Sequence, residues 1–432
     1  MLPPYIPEAL TDFSHPEAQA AFARALNLVK EEIGRTYPLI IDNQEIRLDQ
    51  TFPTVNPARP AEIVASFADG TAAHADQAIA AATEAFKTWQ HVPVEQRARY
   101  LLNAAAAMRR RKHEFSAMMV LEVGKSWVEA DADTSEAIDF LEYYARQALR
   151  IFDSSSLLVE YPNEEDSLYY IPLGVGAVIP PWNFACAIVT GMIGAGLVTG
   201  NTLVLKPAEQ SPWVAYRMCE LFWNQGLPNG VLNFITGPGE VVGARMVEHP
   251  QTRFVTFTGS KPVGVGIYET AAKVQPGQKW LKRAILEMGG KDAILVDETA
   301  HLDSAAQGIV ASAFGFQGQK CSAGSRAIIV DEVYDRVAAR VVEMAKHLTV
   351  GATDAGHHVD LGPVIDSDSW HKIMDYIELG TQEGELLLGG SPIDTPEGGY
   401  FIPPTIFGEV GRDARIATEE IFGPVLTLQR DT

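Results

Sequence analysis

Cys321 lies in FGFQGQKCSAGSR, after a helical run and among glycines and small residues. A free cysteine is most often a small buried hydrophobe, and Cys186 and Cys219, both in apolar helical runs, fit that description. The polar setting of Cys321, with Lys320 just before it, points instead to a partly exposed thiol whose pKa a nearby cation lowers. Such a thiolate is a nucleophile. Glu287, in LKRAILEMGGKD, ends an apolar run ahead of Gly289 and Gly290. A carboxylate that closes a buried strand is desolvated, its pKa rises, and it becomes a usable general base. A solvent-exposed loop acid is an equal alternative there. Asn183 follows Pro180, Pro181 and Trp182 after an apolar run. An amide held rigidly at a strand end can donate to a developing oxyanion, although an Asx turn after a proline pair looks the same.

A second set of residues suits a dinucleotide. Lys206 and Glu209, in VLKPAEQSP, sit where a strand breaks at Pro207. Both could bond ribose hydroxyls, and Glu209 would repel a 2′-phosphate, which favours NAD over NADP. An ordinary surface ion pair is the plainer reading. Gly237, Gly239 and Gly243 open a helix after a strand, but their G-x-G-x-x-x-G spacing departs from the dinucleotide fingerprint. Thr258, Gly259 and Ser260 offer another strand-to-helix turn, where backbone amides can meet a pyrophosphate.

These residues need elements to hold them. Helices are expected near 18–35 and 72–90, with a longer helical tract over 94–148 that includes the basic run Arg109–Lys112, read as a solvated face. Two extended runs over 154–171, parted by Pro-Asn-Glu-Glu-Asp, read as a hairpin. From residue 174 the pattern becomes strand, turn, helix. GVGAVIPPWN, NTLVLKPAE, GVLNFITGPG and RFVTFTGS are β-rich runs that end in Gly, Pro or polar residues. A second alternation, KDAILVD, helix 303–316, RAIIVDE and helix 332–347, follows. Alternation of this kind gives an α/β fold with parallel sheets and ligands at the strands' carboxyl ends.

Composition narrows the partners. The 432 residues have room for two or three domains, and 34 basic against 55 acidic residues give a net charge of −21. So acidic a surface repels nucleic acid and anionic lipid, and an anionic substrate would need a local cation. Three cysteines without metal-ligand spacing suggest neither a disulfide framework nor a metal site, and a reducing compartment, the cytoplasm, fits. No charged residue occurs between Asp166 and Lys206. Its prolines and glycines break that stretch into a strand, a loop and a buried helix, not a membrane span.

Taken together, PWNF, KPAEQSP, FTGS, EMGGKD, GQKCSA and EEIFGPV resemble the aldehyde dehydrogenase superfamily in order and rough spacing, from Pro181 to Val425. The resemblance implies a Rossmann-like NAD-binding domain over 1–288, with 154–171 as a bridging oligomerisation hairpin, and an α/β catalytic domain over 289–432. It implies Cys321 as nucleophile, Glu287 as general base, and Asn183 with the Cys321 amide as oxyanion hole. Lys206 and Glu209 would bind the adenosine ribose, Ser260 the pyrophosphate and Glu420 the nicotinamide ribose, with Phe422 near the ring. Pro181, Trp182, Gly239, Gly243, Thr258 and Gly259 complete the cofactor set.

Within the superfamily the chain is most similar to members that oxidise L-glutamate γ-semialdehyde to L-glutamate in proline degradation. EVGKSWVEADADTSEAIDFLEYYARQALR, residues 281–297 and AFGFQGQKCSAGSR carry that likeness. It places Lys320 and Ser322 at the substrate carboxylate, with Phe184 beside them, and implies a homo-oligomer built on dimers. Another NAD(P)-dependent semialdehyde dehydrogenase, or a catalytically silent structural or binding member, is the alternative. Two departures stand out. Ala185 replaces the family's usual proline, and family members continue past EEIFGPV with a glycine-rich carboxylate-anchoring loop and a last strand. The catalytic domain is therefore expected to be incomplete at its C-terminus.

Overall fold

The computed structural model of the chain describes residues 3–153, 158 and 161–431. Helix α1 (Pro16–Lys30) has proline in its first turn and buries Phe22, Leu26 and Val29 along one face. Five strands follow that the sequence pattern does not announce: β1 (Arg35–Tyr37), β2 (Leu39–Ile41), β3 (Gln44–Ile46), β4 (Thr51–Asn56) and β5 (Arg59–Ala68). The first three are only three residues long, too short for an alternation to accumulate. β1, β5 and β4 make a small sheet of their own.

After α2 (Ala72–Trp89), the tract expected over 94–148 is three helices: α3 (Val94–Arg110), α4 (Lys112–Glu122) and α5 (Trp127–Phe152). The breaks have local causes. Arg111 leaves helical geometry at φ −115°, ψ 22°. Gly124 takes φ +69°, where a Cβ would lie 2.9 Å from Pro363 Cγ, so a side chain fits neither the angle nor the space. Ser126 then caps α5 by accepting from the Glu129 amide. The basic run is not a free face. Arg109 pairs with Glu8 and Glu142, Arg111 with Glu114, and Lys112 with Asp131. Part of the hairpin expected over 154–171, residues 154–157, 159 and 160, lies outside the described residues. Residues 161–171 carry no strand.

The larger sheet is built by β6 (Val175–Ile179), α6 (Ala187–Val198), β7 (Thr202–Leu205), α7 (Pro212–Trp223), β8 (Leu232–Phe234), α8 (Ala244–Glu248), β9 (Thr252–Thr258), α9 (Lys261–Ala272) and β10 (Arg283–Glu287). Its order is β10-β9-β6-β7-β8-β2-β3, parallel from β10 to β8 and antiparallel across β2 and β3. β6 is apolar on both faces because helices cover both: Val178 joins the core under α3, α5 and α6, Ala177 the one under α2. The uncharged stretch is thus β6, α6 and β7, and among the described residues no helix is long and apolar enough to cross a membrane. The chain runs from β6 outward through β7 and β8, then returns to place β9 on the other side of β6. That reversal leaves a crevice outside the carboxyl ends of β6 and β9, the usual ligand position in an open α/β sheet.

The second sheet follows at once: β11 (Asp292–Val296), α10 (Leu302–Phe314), β12 (Gly324–Val330), α11 (Asp331–Lys346), α12 (Ser367–Glu383), β13 (Glu385–Leu388), β14 (Thr405–Gly408), α13 (Arg415–Thr418) and β15 (Val425–Asp431). The order is β11-β12-β15-β14-β13, with only β13 antiparallel. The chain passes between the two sheets at 288–291.

One joint holds α4 to α7. Ser211 stands at the N-cap of α7 but makes no side-chain cap bond, and its hydroxyl is buried without a partner. Glu122, fully buried, does the capping from α4 by accepting from the amides of Trp213 (2.7 Å) and Val214 (3.1 Å). Glu122→Ala strands two buried donors and should lower stability by about 2–4 kcal/mol, read from urea unfolding. Burial pushes the Glu122 carboxyl up to about 8, against the pull of the two amides. The folded chain therefore holds this proton more tightly than the unfolded one, and the stability it lends at acid pH is lost as pH rises through 8. Glu122→Gln should flatten that decline between pH 5 and 8.

Candidate active site

Three strand ends converge on one crevice. β6 runs into Pro180, Pro181, Trp182 and Asn183; β7 into Lys206, Pro207 and Glu209; β9 into Thr258, Gly259 and Ser260. Together with Cys321 and the turn at Glu420 they line a cavity of about 480 Å³.

Part of the cavity's wall is a polar shelf. Lys206 is buried, and its Nζ donates to Glu209 Oε1 (2.9 Å) and to the Pro207 carbonyl (3.0 Å). The pair is therefore not the ordinary surface contact the sequence allowed. A Cβ on Gly239 would come within 3.6 Å of Glu209 Oε1, and one on Gly243 equally close to Lys206 Cδ. Glycine there leaves bare backbone facing the pair. Gly239–Gly243 forms a π-helical turn ahead of α8. Ser260 occupies the N-cap of α9 with its hydroxyl uncommitted to the helix, and it lines the crevice together with Thr258, Gly259 and Val263 of the first turn.

The wall also holds the thiol. Cys321 is half-buried and lines the cavity. It follows a bend in which Phe316 and Gln317 take left-handed φ values of 47° and 57°, a conformation non-glycine residues adopt only under constraint. Asn183 is buried, and its Nδ2 donates to the Gln319 carbonyl (3.0 Å), which ties the amide to the backbone two residues before Cys321. Phe422, also left-handed at φ 61°, packs edge-on against Trp182 at 5.6 Å. Glu420 reaches into the space a Cβ of Gly289 would fill and accepts weakly from the Gly290 amide (3.4 Å).

Three expectations need correction. Cys321 is not activated by its neighbour: burial pushes its thiol up, Glu420 and Asp292 add to this, and the amides of Cys321 and Ser322 pull the other way. Lys320 is not a free cation in this structure, because its ammonium is held by both oxygens of Glu129 on α5, at 2.8 and 2.7 Å. It lies outside the cavity's wall, as does the exposed Ser322. Glu287 ends an edge strand and is exposed, so the expected desolvation is absent; the next two residues, Met288 and Gly289, line the cavity. Phe184 packs beneath the Asn183 loop, under the ammonium of Lys125 at 4.2 Å.

The sequence reading missed Ser369 and Lys372, one turn apart at the start of α12, which close the cavity beside Glu420. Burial lowers the Lys372 pKa while Glu420 opposes the shift. SDSWHK has no spacing that marks it chemically, so only the fold could find them. Among the described residues no cluster of His, Cys, Asp or Glu could hold a metal ion.

Comparison with known proteins places this geometry. A model of the aldehyde dehydrogenase family matches residues 45–431. The chain is 54% identical over 430 residues to a 1-pyrroline-5-carboxylate dehydrogenase of Geobacillus thermodenitrificans, covering 100% of this chain and 83% of that protein. It is 50% identical to the Bacillus subtilis protein of the same name over 424 residues, 98% of this chain and 82% of that one. A solved 1-pyrroline-5-carboxylate dehydrogenase from Thermus with bound NAD superposes with a TM-score of 0.96 at 50% identity, over 99% of this chain and 82% of that one.

Proposed function

Because the chain belongs to the aldehyde dehydrogenase family, we propose that it oxidises L-glutamate γ-semialdehyde, in equilibrium with 1-pyrroline-5-carboxylate, to L-glutamate with NAD, a step of proline degradation. One observation carries the reading. A single cavity at the sheet's switch point is lined both by the Lys206–Glu209 shelf and by Cys321.

The residues present suit a dinucleotide. Lys206 and Glu209 would take the adenosine ribose, and Thr258, Gly259, Ser260 and the first amides of α9 the pyrophosphate. Glu420, with Lys372 near it, would take the nicotinamide ribose, and Trp182 and Phe422 would flank the ring; Pro181, Gly239 and Gly243 shape the walls. When bound, the nicotinamide accepts the hydride. Cys321 attacks the aldehyde carbon as thiolate, forming a C–S bond as negative charge gathers on the oxygen. Asn183 Nδ2 and the Cys321 amide donate to that oxygen. Hydride loss leaves a thioester on Cys321. Glu287 takes a proton from water as the water attacks, the C–S bond breaks, and the acid leaves with the thiolate restored.

In this reading 1–288 is the cofactor domain and 289–432 the catalytic one. A cytoplasmic homo-oligomer built on dimers suits the family and the three free cysteines. Supplying glutamate semialdehyde and NAD should yield NADH and glutamate in equal amounts. No NADH from any aldehyde would leave a silent member of the family. A second reading, another semialdehyde dehydrogenase, draws support from the engagement of Lys320 by Glu129. Cofactor choice has its own test. Glu209→Ala removes the carboxylate that repels a 2′-phosphate, so the NADP-to-NAD ratio of kcat/KM should rise about tenfold or more. An unchanged ratio would take Glu209 out of cofactor selection.

A further inference from the structure

Behind the cavity lies an ion pair that the reaction scheme does not use. Lys125 and Asp133 are both shut off from solvent, with Nζ 2.7 Å from Oδ2. The second carboxylate oxygen of Asp133 accepts from the amide of Ala187 (2.7 Å), the first residue of α6 and the far end of the loop that carries Asn183. The ammonium also lies over two aromatic rings, Phe184 at 4.2 Å and Phe316 at 4.5 Å. Phe184 adjoins Asn183. Phe316 is the first left-handed residue of the bend that leads to Cys321. The same junction is gripped by Gln317, whose Nε2 donates to the Gly124 carbonyl next to Lys125 (3.1 Å).

A buried charge pair is a poor source of stability, since apolar residues of similar volume usually serve as well. What apolar residues would not supply is direction. An ammonium facing two rings and one carboxylate fixes the distance between the three segments that bear them. We propose that Lys125, paired with Asp133, is a positioning residue that sets the Asn183 amide against the Cys321 bend. Its contribution is thus felt in the oxyanion-stabilised step. The inference rests on the oxyanion role given to Asn183 above.

The test is a double-mutant cycle. Lys125→Met combined with Asp133→Leu removes both charges and leaves no lone buried ion. It should lower kcat about 10²-fold, the scale of one lost oxyanion donor, while NAD affinity and aldehyde KM move less than about threefold. Lys125→Arg, which keeps the cation, should recover part of the loss. On an Asn183→Ala background the charge-removing pair should cost little more, because it acts through a donor already gone. A full further loss on that background, or wild-type kcat in the pair variant, overturns the positioning role. If Asn183→Ala alone leaves kcat unchanged, the oxyanion reading itself fails, and the two failures are told apart. Should the charge-removing variant not fold, Lys125→Arg enters the same cycle, where its loss must again vanish on the Asn183→Ala background.

Discussion

Replacing Cys321 by alanine should lower aldehyde-dependent NADH formation by on the order of 10⁴-fold or more, since Cys321 is the one thiol that lines the cavity, Cys186 and Cys219 being buried. Glu287→Gln should behave differently. Acylation and hydride loss precede the step that needs a base, so this variant should give one burst of about one NADH per site and then stop. The thioester should then be visible on Cys321 by intact mass. The exposed position of Glu287 makes the experiment decisive for that residue. Its side chain must turn towards the cavity that Met288 and Gly289 line. Normal steady-state turnover in Glu287→Gln would remove it from the base role and leave the covalent step intact.

The second large effect is expected at Lys320. A net charge of −21 works against an anionic substrate at long range, so recognition of its α-carboxylate must be local. Losing one partner of a desolvated charge pair costs about 2–5 kcal/mol, at roughly 1.4 kcal/mol per decade. Lys320→Met should therefore lower kcat/KM for glutamate semialdehyde tens-fold or more and spare propanal. The bidentate contact with Glu129 adds a condition, for the substrate must compete with a carboxylate already in place. Glu129→Gln should weaken that competition and lower KM for the anionic aldehyde several-fold, again without effect on propanal. If Lys320 acted instead on the thiol, both substrates should slow together in Lys320→Met, and alkaline pH should restore both. An unchanged selectivity ratio between the two aldehydes rules out carboxylate recognition by Lys320.

Much of the cavity could be read from sequence, because buried parallel strands write themselves as continuous apolar runs. β6, β7 and β9 each end at Pro, Gly or a polar residue, and those ends are the residues that meet at the crevice. Local signals do not carry exposure across a sheet. Glu287 follows an apolar run, yet its strand pairs only with β9 and stays open, with Ile285 55% exposed. They carry distant partners no better. Lys320 and Glu129 are 191 residues apart, and Glu122 caps a helix 91 residues on. Nothing in EVGKSW marks Lys125 as buried; the fold encloses it with Asp133 and two rings. Ser369 and Lys372 come to the site only because α12 is packed there.

Whether this cavity oxidises an aldehyde bearing an amino-acid carboxylate is decided by one comparison. NADH formation is followed by absorbance for glutamate semialdehyde, succinic semialdehyde, propanal and betaine aldehyde, each reduced to kcat/KM. Glutamate semialdehyde should lead by at least tens-fold, with glutamate formed one for one with NADH. A neutral or cationic aldehyde that equals or exceeds it would show that the cavity does not select for an amino-acid carboxylate.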